Sequence, residues 1–136
     1  MSDSHSQHST TYAEGKLGLA AFQAFLNISK KWSLNREQQR ILLGGIPTST
    51  YHLWKSNVEK AQELKLPKDT LERISYILGI YKALHILLPT QEAADNWINR
   101  DNAAHMFNNQ SALSKMLAGN VVDLADVRRY LDAQRG

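Results

Sequence analysis

The sequence predicts an all-α protein, and three observations support that prediction. Glycine and proline together account for only 10 of the 136 residues, and a chain with few helix breakers favours helices. Apolar residues recur at intervals of three and four over several stretches, which is the spacing of one helix face. No stretch alternates apolar and polar residues for more than a few positions, as a half-buried strand does.

Composition narrows the class of protein. With 43% hydrophobic residues in 136, one or two small domains can build a core without covalent links. The chain has no cysteine, which excludes disulfides, thiolate metal sites and cysteine nucleophiles. Uncharged apolar runs such as 77–81 are far shorter than the ~18 residues that a membrane span needs, and no secretory leader is expected. We therefore expect a cytoplasmic protein with no membrane partner.

The chain begins with a polar stretch. Residues 1–12 offer no apolar side chain between Met1 and Tyr12, so we predict a disordered tail. His5 and His8 lack a third ligand, and no metal site is predicted there. A first helix follows, with Lys30 and Lys31 at its C-terminal end, where the helix dipole favours cations. Its predicted apolar stripe contains Leu17, Ala20, Ala21, Ala24, Phe25 and Ile28.

The next two helices are joined by a glycine turn. Asn35 is a good N-cap with Gln38 three residues later, and Gly44-Gly45 ends the second helix. Pro47 then opens a third helix over 48–58. Two helices joined by a short turn that contains glycine are typical of a helix-turn-helix, whose second helix approaches DNA bases with short polar side chains.

The third helix has two distinct faces. Tyr51, Trp54 and Val58 are predicted to face the core, and the opposite face carries the candidate DNA-binding residues Thr48, Ser49, His52 and Lys55. Residues 1–65 contain eight Lys/Arg and five Asp/Glu, a small basic surplus on the same side of the molecule. An αα-hairpin whose hydroxyl residues only cap a helix is the alternative interpretation.

Prolines mark both ends of a long apolar helix at 67–88. Its apolar face is broad enough to require more than one neighbour, so we expect it to connect two halves of the molecule or to pair with its copy in a homodimer. The residues of this face are Leu71, Ile74, Ile77, Leu78, Ile80, Tyr81, Ala83, Leu84, Leu87 and Leu88.

The last third predicts short helices at 90–98, 111–117 and 124–134, the last capped by Asp123. Their apolar residues form a thin layer, which favours completion against a partner protein. Ordinary core residues of one small domain are the alternative. The residues concerned are Trp97, Asn102, Phe107, Leu113, Leu117, Gly119, Val127, Tyr130 and Leu131.

An enzyme is not expected. The sequence contains no phosphate-binding glycine loop, no nucleophile motif and no histidine pair at metal-ligand spacing. His85 and His105 are interpreted as structural. No catalytic residue, cofactor or metal site is therefore predicted.

The two halves together resemble the Xre/MbcA/ParS antitoxins, the partners of RES-domain toxins. In the first half, the resemblance depends on Leu42-Leu43-Gly44, Ile46-Pro47, Ser49-Thr50-Tyr51 and Trp54. In the second, it depends on Trp97, Asp101-Asn102, Asn108-Asn109, Ser111-Ala112-Leu113, Leu117-Ala118-Gly119, Val127, Leu131 and Arg135-Gly136. Asp101 and Ala112 replace prolines of the family pattern, and Asn108-Asn109 replaces glycines. Since asparagine tolerates the left-handed conformation, the turn can persist.

The resemblance implies a type II antitoxin that silences a co-expressed, NAD-consuming RES toxin by covering its active site and represses its own operon. It divides the chain into a tail (1–12), a helix-turn-helix domain (13–66), a connecting or dimerisation helix (67–88) and a toxin-binding domain (89–136). Implied toxin-binding residues are Trp97, Asn102, Val127, Arg128, Arg129, Tyr130, Arg135 and Gly136. A scaffold or interaction module whose N-terminal helices do not bind DNA is the second hypothesis.

Overall fold

Seven α-helices and one short 3-10 helix make up the part of the chain that the structure, a computed structural model, describes: residues 3–136, with side chains from Glu14 onward. No strand occurs in this part, only an isolated bridge between Asp101 and Ser111. The all-α prediction is confirmed. The helices are α1 (Asp3–Lys31), α2 (Arg36–Leu42), α3 (Thr48–Glu59), α4 (Lys68–Leu87), α5 (Gln91–Trp97), the 3-10 helix (His105–Phe107), α6 (Ala112–Met116) and α7 (Val121–Gln134).

The first helix differs from its prediction at its start. The backbone of α1 is helical from Asp3, whereas the sequence assigns residues 1–12 to a disordered tail. Adding residues to a helix that is already formed costs little, which accounts for the earlier start. Met1 and Ser2, and the side chains of His5 and His8, lie outside the described part of the chain.

The buried face of α1 also differs from the predicted stripe. Phe25 is completely buried as predicted, but so is Phe22, which the stripe omits, and Leu17 is 57% exposed. The cause is Gly18, which faces the loop after α3: a Cβ added to it would stand 1.7 Å from the carbonyl oxygen of Leu64. Only glycine permits this approach, and it turns Leu17 towards solvent.

The pair α2 and α3 agrees with the sequence prediction. Asn35 and Gln38 form a reciprocal capping box, and the chain turns through Gly44 (φ +104°) and Gly45 (φ +76°). Pro47 immediately precedes α3. The Tyr51 hydroxyl donates to Gln39 Oε1 at 2.7 Å and so ties α3 to α2.

The long helix α4 lies against α1, α5 and α7. Helices of the same chain therefore cover its broad apolar face, and the prediction that it connects two halves is correct. Leu84 is fully buried there, so the apolar face of α4 no longer supports the expected self-association.

The C-terminal helices belong to the same core as the N-terminal ones. Leu124, Val127 and Leu131 of α7 are buried together with Phe22 and Trp54 in one continuous hydrophobic cluster. For these residues the ordinary-core interpretation is the correct one. The boundary between the two halves therefore runs through the middle of a shared core.

One turn and one helix start in this region can be compared with their predictions from the sequence. Asn108 and Asn109 adopt φ values of +52° and +63°, so asparagine does take the left-handed turn as predicted. The predicted cap of α7 is wrong: the helix begins at Val121 with Asn120 before it. Asp123 lies within the first turn, where its carboxylate accepts from Lys115 Nζ at 3.2 Å.

Candidate functional site

The exposed face of α3 is polar. Thr48, Ser49, His52 and Lys55 are all exposed, whereas Tyr51 and Trp54 on the opposite side are buried. Phe22 of α1 holds that buried side through edge-on contacts, with ring centres 6.2 Å from Tyr51 and 5.7 Å from Trp54. The helix is fixed on the core by its aromatic side, and its hydroxyl and imidazole groups point to solvent.

Arg36 adds a cation to this face that sequence reasoning missed. Its Nη1 lies 3.2 Å from His52 Nε2, although the two residues are on different helices. Burial raises the pKa of Tyr51 above its ordinary value of 10, and the charge of Arg36 offsets part of that rise. Tyr51 thus keeps its proton for Gln39. The signal in the sequence was the position of Arg36 at the first residue of α2, directly after its cap Asn35.

A second candidate surface lies where α4, α5 and α7 meet. Trp97 and Tyr130 stack with ring centres 6.4 Å apart, and the Phe107 ring lies edge-on to Tyr130 at 5.2 Å. Trp97 and Tyr130 are half-buried, so part of each side chain remains accessible to solvent. Beside them opens a groove of about 280 Å³ lined by Leu84, Leu87, Leu88, Trp97, Tyr130, Leu131 and Gln134.

Two of the predicted toxin-binding residues have structural roles. Val127 lies on the buried face of α7 and is completely buried in the core, so it cannot touch a partner. This corrects its assignment as a contact residue. Asn102 shapes the loop before the 3-10 helix. Its side-chain Oδ1 accepts from the backbone N–H of Ala104 at 2.9 Å, and its backbone N–H donates to the Gln110 carbonyl at 3.0 Å.

Arg128 and Arg129 of α7, and Arg135 directly after it, each pair with an aspartate. Arg129 pairs with Asp126 one turn earlier, and Arg135 lies 3.7 Å from Asp132. Arg128 Nε lies 3.4 Å from Asp132, and its guanidinium covers Gly79 of α4, where a Cβ would stand 2.0 Å from Nη1. Arg128 therefore packs on α4, while Arg129 and Arg135 are more exposed to solvent.

His85 has a partner inside the fold. Its Nε2 lies 3.1 Å from Asp95 Oδ1 of α5, and its ring lies 4.2 Å from the ring of Tyr81. Among the residues whose side chains are described, no group of three or more His, Asp or Glu is placed to hold a metal ion. No helix within 3–136 is long and apolar enough to cross a membrane.

Comparison with known proteins divides the chain at α4. Residues 18–79 match the antitoxin Xre-like helix-turn-helix domain, and residues 83–136 match the antitoxin Xre/MbcA/ParS C-terminal toxin-binding domain. A protein named "Uncharacterized protein y4oB", from Sinorhizobium fredii (strain NBRC 101917 / NGR234), is 49% identical over 117 residues, which cover 86% of this chain and 85% of the relative. No solved structure matches significantly.

Proposed function

The chain belongs to the Xre/MbcA/ParS family of antitoxins, and on that premise we propose that it neutralises an NAD-consuming RES-domain toxin and represses its own operon. The proposal of a RES partner depends on the order of the two modules in one chain, which resembles the antitoxins paired with such toxins. Repression of an operon also places the protein in the cytoplasm.

The observation that carries the DNA-binding part is the exposed polar face of α3 within the matched helix-turn-helix. Ser49 and His52 lie where a recognition helix presents groups to base edges. Arg36 and Lys55 supply positive charge at the border of the face, where phosphate contacts position a protein on DNA. We further propose that it binds as a homodimer, since helix-turn-helix proteins read two half-sites related by two-fold symmetry.

The proposed toxin surface is the α4–α5–α7 groove with its C-terminal rim. The accessible parts of Trp97 and Tyr130 line this groove, and aromatic residues are enriched in protein interfaces. Arg129, Arg135 and Gly136 are exposed in the C-terminal part of the chain, and a guanidinium pairs well with the carboxylate or phosphate groups of a nucleotide-binding cleft. Each arginine must first leave its own aspartate, so we expect the aromatic contacts to supply most of the affinity.

Two assays on the full chain test the proposal. Co-expression with the proposed partner, a RES-domain toxin, should restore growth that the toxin alone prevents. A gel shift with the DNA upstream of its own gene should show a complex that a random duplex does not form. Rescue without a specific shift would favour the non-DNA-binding interaction module, and the absence of both would reject the proposal.

A further inference from the structure

The exposed face of α3 is polar except for one large apolar side chain, that of Leu53. Leu53 is 61% exposed, the largest exposed fraction of any large apolar side chain in the described part of the chain. It follows Ser49 by four residues and His52 by one. Because a helix repeats every 3.6 residues, Ser49, His52, Leu53 and Ser56 lie on one outward stripe, opposite Tyr51 and Trp54.

The surroundings of Leu53 decide what it can bind. A stable protein interface needs about 800 Å² on each side, and a single leucine among serines and a histidine cannot supply that area. It can, however, cover one methyl group. The major groove of DNA presents such a group on every thymine, at C5, and apolar side chains read thymine by contact with it.

We propose that Leu53 is a specificity residue that contacts the C5-methyl group of a thymine in the operator. The inference rests on the proposed DNA-binding function and adds a base preference to it. Ser49 and His52 then hydrogen-bond to neighbouring base edges, while Arg36, which lies 3.2 Å from His52, remains beside the backbone. Desolvating one methyl group stabilises the complex by an amount equivalent to about fourfold in affinity.

The test uses the full chain and duplex DNA selected with it from a random pool. Each thymine of the selected site is replaced in turn by deoxyuridine, which removes only the methyl group. At one position, the parent protein should lose about fourfold in affinity, and Leu53→Ala should be insensitive to the same replacement. Leu17→Ala is the matched control, because Leu17 is 57% exposed on α1 and should retain the response of the parent.

The outcomes separate the two claims. If selection enriches no sequence, both the DNA-binding proposal and the role of Leu53 are overturned. If a site is enriched but no deoxyuridine position weakens the parent, or if Leu53→Ala keeps the same sensitivity, only the role of Leu53 is overturned. Because Leu53 is exposed, its truncation should leave thermal unfolding unchanged, and a circular dichroism melt verifies this.

Discussion

Arg73 Nη1 donates a 3.0 Å hydrogen bond to the backbone carbonyl of Gly119, a residue 46 positions further along the chain. The same guanidinium pairs through Nε with Asp69 at 3.0 Å. Arg73 also contacts the helix-turn-helix: a Cβ on Gly44 would stand 3.2 Å from its Nε. One arginine of α4 thus joins the turn between α2 and α3 to the turn between α6 and α7.

This link between the two turns, called the Arg73 joint below, brings the two modules into direct contact. Gly119 lies close to Ile41 of α2, since a Cβ at 119 would stand 3.8 Å from Ile41 Cγ2. Both turns depend on glycine at positive φ, +104° at Gly44 and +90° at Gly119. The two modules are therefore expected to unfold as one cooperative unit.

The first prediction concerns the joint itself. Arg73→Ala removes the donor to Gly119 and leaves a part-buried carbonyl without its partner. We expect a loss of about 1.5 to 3 kcal/mol in the free energy of unfolding, measured by urea denaturation. Arg129→Ala is the control, because its ion pair is on the surface and should contribute less than about 1 kcal/mol. Equal losses in the two variants would contradict a special role for Arg73.

The second prediction concerns truncation. Removing 124–136 deletes Leu124, Val127 and Leu131 from the core. Buried side chains of this kind each contribute about 2 to 5 kcal/mol, and a whole chain has only about 5 to 15. We expect the cooperative transition to disappear, and operator binding with it.

A shorter truncation provides the control for that experiment. Ending the chain after Gln134 removes only Arg135 and Gly136, both of which are exposed. This variant should unfold at the temperature of the parent. Retained operator binding after removal of 124–136 would show that the N-terminal half folds alone and would contradict the shared core.

The third prediction tests the close approach of α1 to the loop after α3. Gly18→Ala places a Cβ 1.7 Å from the Leu64 carbonyl oxygen, so the loop or the helix must move. Overpacking of this kind should cost about 3 kcal/mol or more, seen as a lowered urea midpoint. Gln23→Ala, an exposed change on the same helix, should stay within about 0.5 kcal/mol. A Gly18→Ala variant of unchanged stability would disprove the contact.

The fourth prediction separates phosphate contacts from base contacts on α3. Arg36→Ala and Lys55→Ala should each lower the slope of log affinity against log salt by about 1, because a phosphate contact releases counterions. Ser49→Ala should instead reduce the preference for operator over random duplex, by about 1 to 3 kcal/mol for a good base contact. Lys82→Ala on α4 is the control, and a slope change as large as that of Arg36→Ala would show that the effect is non-specific.

Local signals account for most of what could be predicted from the sequence. Asn35 and Gln38, Gly44-Gly45 and Pro47 bounded α2 and α3 correctly, because caps and turns depend on residues close together in the chain. The polar face of α3 followed from the same spacing. The C-terminal module was identified through its resemblance to the family pattern, and the left-handed turn expected at Asn108-Asn109 is present.

The remaining features depend on contacts between distant residues. Periodicity could not distinguish Leu17 from Gly18 as the buried position, since the choice depends on the Leu64 carbonyl of another element. For the same reason the sequence could not show which arginine of α7 packs on the protein and which faces solvent. Arg128 lies over Gly79, and only the packing of α7 on α4 reveals this. The broad stripe of α4 predicted several neighbours, but not that they would all belong to the same chain.

The central claim is neutralisation of a toxin, and the turnover of NAD by the RES-domain toxin that we propose as the partner measures it directly. Titration with the full chain should stop NAD consumption near equal concentration. Tyr130→Ala should require a much higher concentration, whereas Val122→Ala, an exposed change elsewhere on α7, should inhibit as the parent does. Undiminished NAD consumption at a large excess of the parent chain would contradict the account.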